Sequence, residues 1–380
     1  MKSIILRNKR NAESVLKKGV AMQNPFAYGK EVSGENFWNR EKEIKELCRD
    51  IVNGQNVIIF SQRRFGKTSL IKEVFNVCQR KGILTIYVDL YPVLAEEEFV
   101  CTYAKAVAET MLGTLEKQLK KVVGFFQKIQ PSFSVGEDGN MVCNVAINKQ
   151  DFVPALEDVL ASVERYAKSK NKKVAVCFDE FQQIGQFKTD RIEKIMRSII
   201  QKQKNVAYIF MGSKKHLIFD MFNNSHRPFY RSGKSFPLEK IEGKKLCSFI
   251  KDKFINSKKD IQDELIEKIV DICEGHPYYI QYLCHITWEK VEDKKRVLRS
   301  DLLDSLDLLL RREASTYEAT WDLLTVKQRQ VLKSLSKADV KEKIFSAGFL
   351  QKHNLGSASS LQRTLSSLIE KDLIDREGES

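Results

Sequence analysis

The sequence of 380 residues predicts an α/β fold built on a parallel sheet, and three stretches carry that prediction. Val57-Ile-Ile-Phe60 is an apolar run that breaks into Ser61-Gln62-Arg63-Arg64-Phe65-Gly66-Lys67-Thr68-Ser69. Lys173-Val-Ala-Val-Cys-Phe178 ends in Asp179-Glu180, and Asn205-Val-Ala-Tyr-Ile-Phe-Met-Gly212 ends in Ser213. Continuous runs of β-branched and aromatic residues, without alternation, suit strands covered on both faces. Helical patterns separate them, so the connections read as β-α-β crossovers.

Residues 1–23 are basic and show no clear period; they read as a peripheral arm. Asn24-Pro25-Phe26-Ala-Tyr28-Gly29 and Phe37-Trp38-Asn39-Arg40-Glu41 follow, leading into a helix marked by Ile44, Leu47 and Ile51. An extended aromatic segment just ahead of the first strand either holds a ligand's ring or forms a small apolar cluster of its own.

The turn after Phe60 matches the spacing G-x-x-x-x-G-K-[ST], except that Ser61 stands where the first glycine would be. Such a loop wraps phosphate oxygens in backbone N–H groups; the lysine neutralises charge and the hydroxyl ligates Mg²⁺. Lys67 and Thr68 fill those two roles. Ser61 is tolerable there only if its backbone avoids positive φ.

Ser69 to Arg80 then reads as a helix and Thr85 to Leu90 as the next strand. Residues 97–128 read as helical up to Pro131, residues 132–145 as a hairpin turning at Gly136-Glu-Asp-Gly139, and residues 151–169 as a further helix.

Two adjacent acids at the end of a buried strand are costly unless a cation faces them. With the phosphate loop, Asp179 is expected to hold Mg²⁺ beside Thr68, and Glu180 to polarise the attacking water. Ser213, at the end of the third strand, either contacts the terminal phosphate or caps the helix that follows. His216 and His226 have no partners at metal-ligand spacing.

Composition narrows the field. The formal net charge is +14, and residues 184–260 hold 18 Lys and Arg against 7 Asp and Glu. A basic surface attracts nucleic acid, but solvated lysine faces without a partner are equally consistent. Eight cysteines occur without a C-x-x-C pair, so neither a disulfide framework nor a zinc site is indicated. The first residues lack a signal peptide's apolar core and no stretch is long enough to span a bilayer. A cytoplasmic chain without membrane contact is therefore expected.

Taken together, Asn24-Pro-Phe, Phe37-x-x-Arg40-Glu41, the Arg63 to Leu70 loop, Asp179-Glu180 and Gly212-Ser213 resemble the archaeal-type ATPase family, within the AAA+/STAND group of P-loop NTPases. Arg227-Pro-Phe-Tyr-Arg231 and Gly275-His276-Pro277 extend the likeness, and residues 321–374 look like the family's C-terminal winged helix. The resemblance implies an AAA+-like P-loop NTPase domain over 24–236, a helical lid over 237–315 and a winged-helix module over 316–380. It implies ATP as the nucleotide, held by the loop from Ser61 to Ser69 with Pro25, Phe26, Arg40 and Pro277. It gives Ser213 a sensor role. Arg231 is either a sensor or arginine finger, or a solvated arginine.

Thr325 heads a helix over 326–335, a second covers about 344–353, and a third starts at Ser359 or Ser360 after the turn at Asn354-Leu-Gly356. Residues 318–380 carry ten basic and nine acidic groups, fewer positive charges than duplex binding usually asks for. The expectation is an ATPase acting as a nucleotide-controlled switch, with the winged helix docking a protein partner or the chain itself. The alternatives are an ATP-regulated DNA-binding protein resembling origin-recognition ATPases, and a module whose ATP is structural.

Overall fold

Five strands run parallel in a computed structural model that describes residues 23–32, 34, 37, 40–114, 119–135, 141–147, 151–291, 296–339 and 342–374. They are β1 (Val57–Phe60), β2 (Leu84–Asp89), β5 (Val174–Asp179), β6 (Val206–Gly212) and β7 (Lys234–Pro237), in the order β2-β5-β6-β1-β7. The three central strands β1, β5 and β6 are buried along their whole length, as their uninterrupted apolar sequences require. Register brings their carboxyl ends level: Phe60 pairs with Gly212, Phe178 with Phe210, and Asp89 with Asp179. Ligands of open parallel sheets bind at that edge.

Helices α1 (Glu41–Val52), α2 (Lys67–Arg80), α3 (Glu96–Thr114), α4 (Leu119–Val123), α5 (Phe152–Lys170), α6 (Arg191–Ile200) and α7 (Lys215–Asn223) belong to the same unit as the sheet. The sequence reads 97–128 as one helix, but the chain turns out of helix after Val123. Asp158 explains the turn. Its carboxylate, 4% exposed, accepts the backbone N–H groups of Gln127, Lys128 and Ile129 at 2.7–3.1 Å and is paired with Arg165 at 2.6 Å. Three N–H groups gathered on one buried carboxylate satisfy the backbone where the helix stops. The expected hairpin forms as β3 (Ser132–Val135) against β4 (Met141–Asn144), while its turn lies outside the described residues.

Residues 241–312 group with the N-terminal stretch as a second unit. It contains α8 (Gly243–Asn256), α9 (Asp263–Ile272), α10 (Pro277–Lys290) and the first half of α11 (Arg299–Asp322). Phe26 and Tyr28, which the sequence reading places with the ATPase domain, have their rings in this helical core. Phe26 is 1% exposed against Phe254, and Tyr28 stacks on Tyr282 at 4.0 Å between ring centres. The basic residues 1–22 and Trp38-Asn39 lie outside the described residues.

Near the C-terminus, α12 (Val326–Leu335), α13 (Ala347–Lys352) and α14 (Ala358–Glu370) enclose a small core of Val331, Phe349, Leu361, Leu365 and Leu368. Thr325 caps α12 with a reciprocal bond from Gln328, Ser346 caps α13, and Ser357 rather than Ser359 caps α14. Gly356 at φ +75° makes the turn before α14. Residues 375–380 lie outside the described residues.

Replacing Asp158 by alanine removes the acceptor of three backbone N–H groups, that of Ile129 fully buried, and the carboxylate partner of Arg165, which keeps its bonds to Phe125 O. Unfolding free energy should fall by about 3 kcal/mol, read as a lower urea midpoint at constant slope. A midpoint unchanged from wild type would remove Asp158 from this account.

Candidate functional site

The loop after β1 has the backbone that phosphate binding needs. Gly66 takes φ +84° and Arg64 φ +64°, so two left-handed residues bend the chain back on itself. Ser61 is absent from the residues at positive φ, which is why a side chain is accepted where a glycine would be usual. Lys67 opens α2, whose first-turn N–H groups face the loop without helical acceptors.

The Lys67 ammonium turns into the loop, donating to Ser61 O at 3.1 Å, Gln62 O at 3.0 Å and Ser61 Oγ at 3.3 Å. Burial lowers its pKa to about 8, against the opposing pull of Glu180 and Asp179. Among the described residues this buried ammonium is held by two carbonyls and a hydroxyl and by no paired carboxylate.

Across the loop, Thr68 Oγ1 donates to Asp179 Oδ2 at 2.9 Å. Tyr87, on β2, donates its hydroxyl to the same oxygen at 2.5 Å, and the Glu180 N–H reaches Oδ1 at 2.9 Å. Burial pushes the Asp179 carboxyl above its usual range, while the bonds from Tyr87 and Thr68 pull it back down. Glu180 sits at φ +54°, so the chain swings its side chain away from that of Asp179. Its Oε2 accepts Ser213 Oγ at 2.8 Å and the side-chain amide of Gln182. Thus Lys67, Thr68, Asp179, Glu180 and Ser213, each chosen from sequence, converge at one end of the sheet.

Thr68 and Asp179 offer neighbouring hard oxygen donors, the type Mg²⁺ takes when phosphate and water complete its octahedron. Among the described residues no cluster of three or more His, Cys, Asp or Glu side chains could hold a metal alone. The residues present fit an ion shared with a phosphate ligand.

Other predicted site residues are placed differently. Arg40, 4% exposed, bonds Glu43 Oε1 at 2.7 Å and Glu239 O at 2.8 Å, so its guanidinium closes α1 onto the chain after β7. Pro25, Phe26 and Pro277 belong to the helical unit, where Pro277 is the first residue of α10. Arg231 precedes β7 beside Lys234, which pairs with Val57 at the amino-terminal end of β1. The phosphate loop leaves the carboxyl-terminal end of that strand, so Arg231 lies at the far edge of the sheet from its own chain's loop. Gln62, Arg63 and Arg64 are exposed on the loop, whereas Phe65 and Ser69 are buried beneath it.

Sequence reading missed Tyr87 and Gln182. Tyr87 had one signal: a phenol in an otherwise apolar strand needs a partner. It also missed why Gly212 precedes Ser213. A β-carbon at 212 would come within 2.3 Å of Ile218 Cγ1 and 2.4 Å of Gln182 Oε1.

A family model described as "ATPase domain predominantly from Archaea" matches residues 37–283, and one described as "Probable winged helix domain" matches residues 315–380. No curated protein sequence matches the chain. Among solved structures, a Walker-type ATPase of Pyrococcus abyssi is similar at 16% identity and a TM-score of 0.63, over 93% of this chain and 95% of that one. The Aeropyrum pernix ORC2 protein in its ADP form is 13% identical with a TM-score of 0.52, over 93% and 90% of the two chains. The Aeropyrum pernix ORC1 protein, solved in complex with DNA, is 13% identical with a TM-score of 0.50, over 88% and 84%. At these identities the likeness is one of fold: an α/β P-loop ATPase domain with a parallel sheet, followed by helices and a winged helix.

Gly212→Ala should force Gln182 and Ile218 aside and destabilise the protein by about 1–3 kcal/mol. Urea unfolding checks the value. Wild-type stability in this variant would show that the close approach at Gly212 is not required.

Proposed function

The chain belongs to the family of ATPase domains found predominantly in Archaea, and from that premise we propose that it is a Mg²⁺-dependent ATP hydrolase acting in the cytoplasm as a nucleotide-controlled switch. The observation that carries this reading is the pairing of two contacts on neighbouring strand ends, Thr68 with Asp179 and Ser213 with Glu180. The first prepares a metal site and the second a water-activating base.

In this reading the α2 amino terminus and Lys67 take the β- and γ-phosphates. Their charge replaces the carbonyl contacts that hold the ammonium in the free chain. Thr68 and Asp179 hold Mg²⁺, which when bound neutralises the charge that develops on the phosphate oxygens. Glu180 draws the proton from the attacking water through Oε1, the oxygen that Ser213 and Gln182 leave open. Ser213 links the γ-phosphate position to Glu180, so loss of that phosphate changes the hydrogen bonding of the carboxylate. In this reading Arg40 contributes by fastening α1 to the chain after β7, and Pro25, Phe26 and Pro277 by building the helical unit to which they belong. Arg231 is assigned no role at its own chain's loop; a contact with a γ-phosphate would be made to a second copy.

The winged helix is the output module, docking a protein partner or another part of this chain. A DNA-binding role is less favoured by the helix expected to read bases. Ser357 Oγ caps the Ser360 N–H, Ser359 Oγ meets Ser357 Oγ, and Ser360 Oγ accepts Lys327. Gln362 and exposed Arg363 are then the strong base readers on α14.

Steady-state hydrolysis by the wild type and Glu180→Gln tests both levels. Turnover should require Mg²⁺, stop with chelator, and fall about 10²- to 10⁴-fold in the variant while ATP still binds. Duplex DNA should leave the rate unchanged. Stimulation by DNA that fades steeply with salt would instead favour the DNA reading, and no turnover under any condition would reject the hydrolase assignment.

A further inference from the structure

We propose that Gln182 is a positioning residue for Glu180, its side-chain amide fixing the carboxylate that activates water; this inference rests on the base role assigned above. Gln182 lies in the 3₁₀ turn Phe181–Gln186 directly after Glu180 and is 2% exposed. Its Nε2 donates to Glu180 Oε2, the oxygen that also accepts Ser213 Oγ. With two donors on Oε2, rotation of the carboxylate is stopped and Oε1 is left as the oxygen that takes the proton.

The cost of this arrangement is visible on the other side of the amide. Gln182 Oε1 is buried without a hydrogen-bond partner, a loss that folded proteins rarely accept without a reason. Turning the amide over would aim its carbonyl at a carboxylate and lose the Glu180 contact, so the donor's orientation is set by Glu180 alone. Gly212 makes room for the same group, since a β-carbon there would stand 2.4 Å from Oε1. The backbone of the turn cannot drift: Phe181 and Ile184 are fully buried on either side, and Gln183 N–H bonds Glu180 O at 2.9 Å. A buried, half-satisfied amide wedged against a glycine, with its one bond to a carboxylate, is the structure of a holder rather than of a core residue.

The test uses the full chain with ATP and Mg²⁺. Gln182→Leu and Gln182→Met keep the volume and remove the donor. Both should lower kcat about 10- to 100-fold, as a misplaced base does, while KM and ATP affinity stay within about twofold of wild type. Added to Glu180→Gln, Gln182→Leu should cost no further turnover, because the group it holds is already gone. Wild-type or higher kcat in both single variants overturns the proposal, and so does a loss that multiplies in the double variant. If the leucine variant loses its folding transition, the methionine variant decides. A Glu180→Gln protein as fast as wild type removes the base reading itself, whatever the Gln182 variants do. Absence of wild-type turnover overturns both.

Discussion

The arrangement at the carboxyl end of the sheet depends on two opposite charges buried close to each other without being paired. Lys67 is held by carbonyls and a hydroxyl, and Asp179 by two hydroxyls and a backbone N–H. A direct Lys67–Asp179 salt bridge would relieve both, and its absence keeps each available. Burial accordingly moves both groups toward their neutral forms, lowering Lys67 and raising Asp179. The sheet tolerates this strain because β1, β5 and β6 fix the strand ends level, so neither side chain can reach a better partner by local drift.

The same logic governs the positive charge. Between residues 184 and 260 the chain is strongly basic in sequence, yet folding brings acids from elsewhere to several of those cations. Lys234 lies 2.7 Å from both Glu46 and Asp50 on α1, and Lys251 lies 2.7 Å from Asp263 on α9. Within the stretch itself, Arg227 meets the buried Glu193 at 2.8 Å. Sequence-local charge therefore overstates the charge a partner would feel, and it weakens the case for a polyanion as the ligand of this surface.

The strands and the loop were legible because their constraints are local. A strand covered on both faces must be apolar throughout, and a phosphate turn must place glycine, lysine and a hydroxyl in fixed order. Residues whose roles come from packing were not legible. Phe26 stands close in sequence to the phosphate loop, but its ring completes a core made by α8 to α10, more than two hundred residues later. Nothing in the sequence around Arg40 signals that its guanidinium fastens α1 to Glu239 O. The break after Val123 was hidden because its cause, Asp158, lies on a later helix and looks in sequence like any surface acid.

Gly212 shows how far a sequence motif can be understood only after the fold is known. In the sequence, Gly212-Ser213 reads only as the small-residue end of an apolar strand before a helix. In the structure, Gly212 is at a central strand end, paired with Phe60, and the space above it is taken by the Gln182 amide and Ile218. The absent β-carbon is therefore a steric requirement on a neighbour, not a demand for positive φ. It lets the turn after β5 lie against the end of β6, where Ser213 and Gln182 both reach the same oxygen of Glu180. The glycine thus determines the geometry of a carboxylate it never touches.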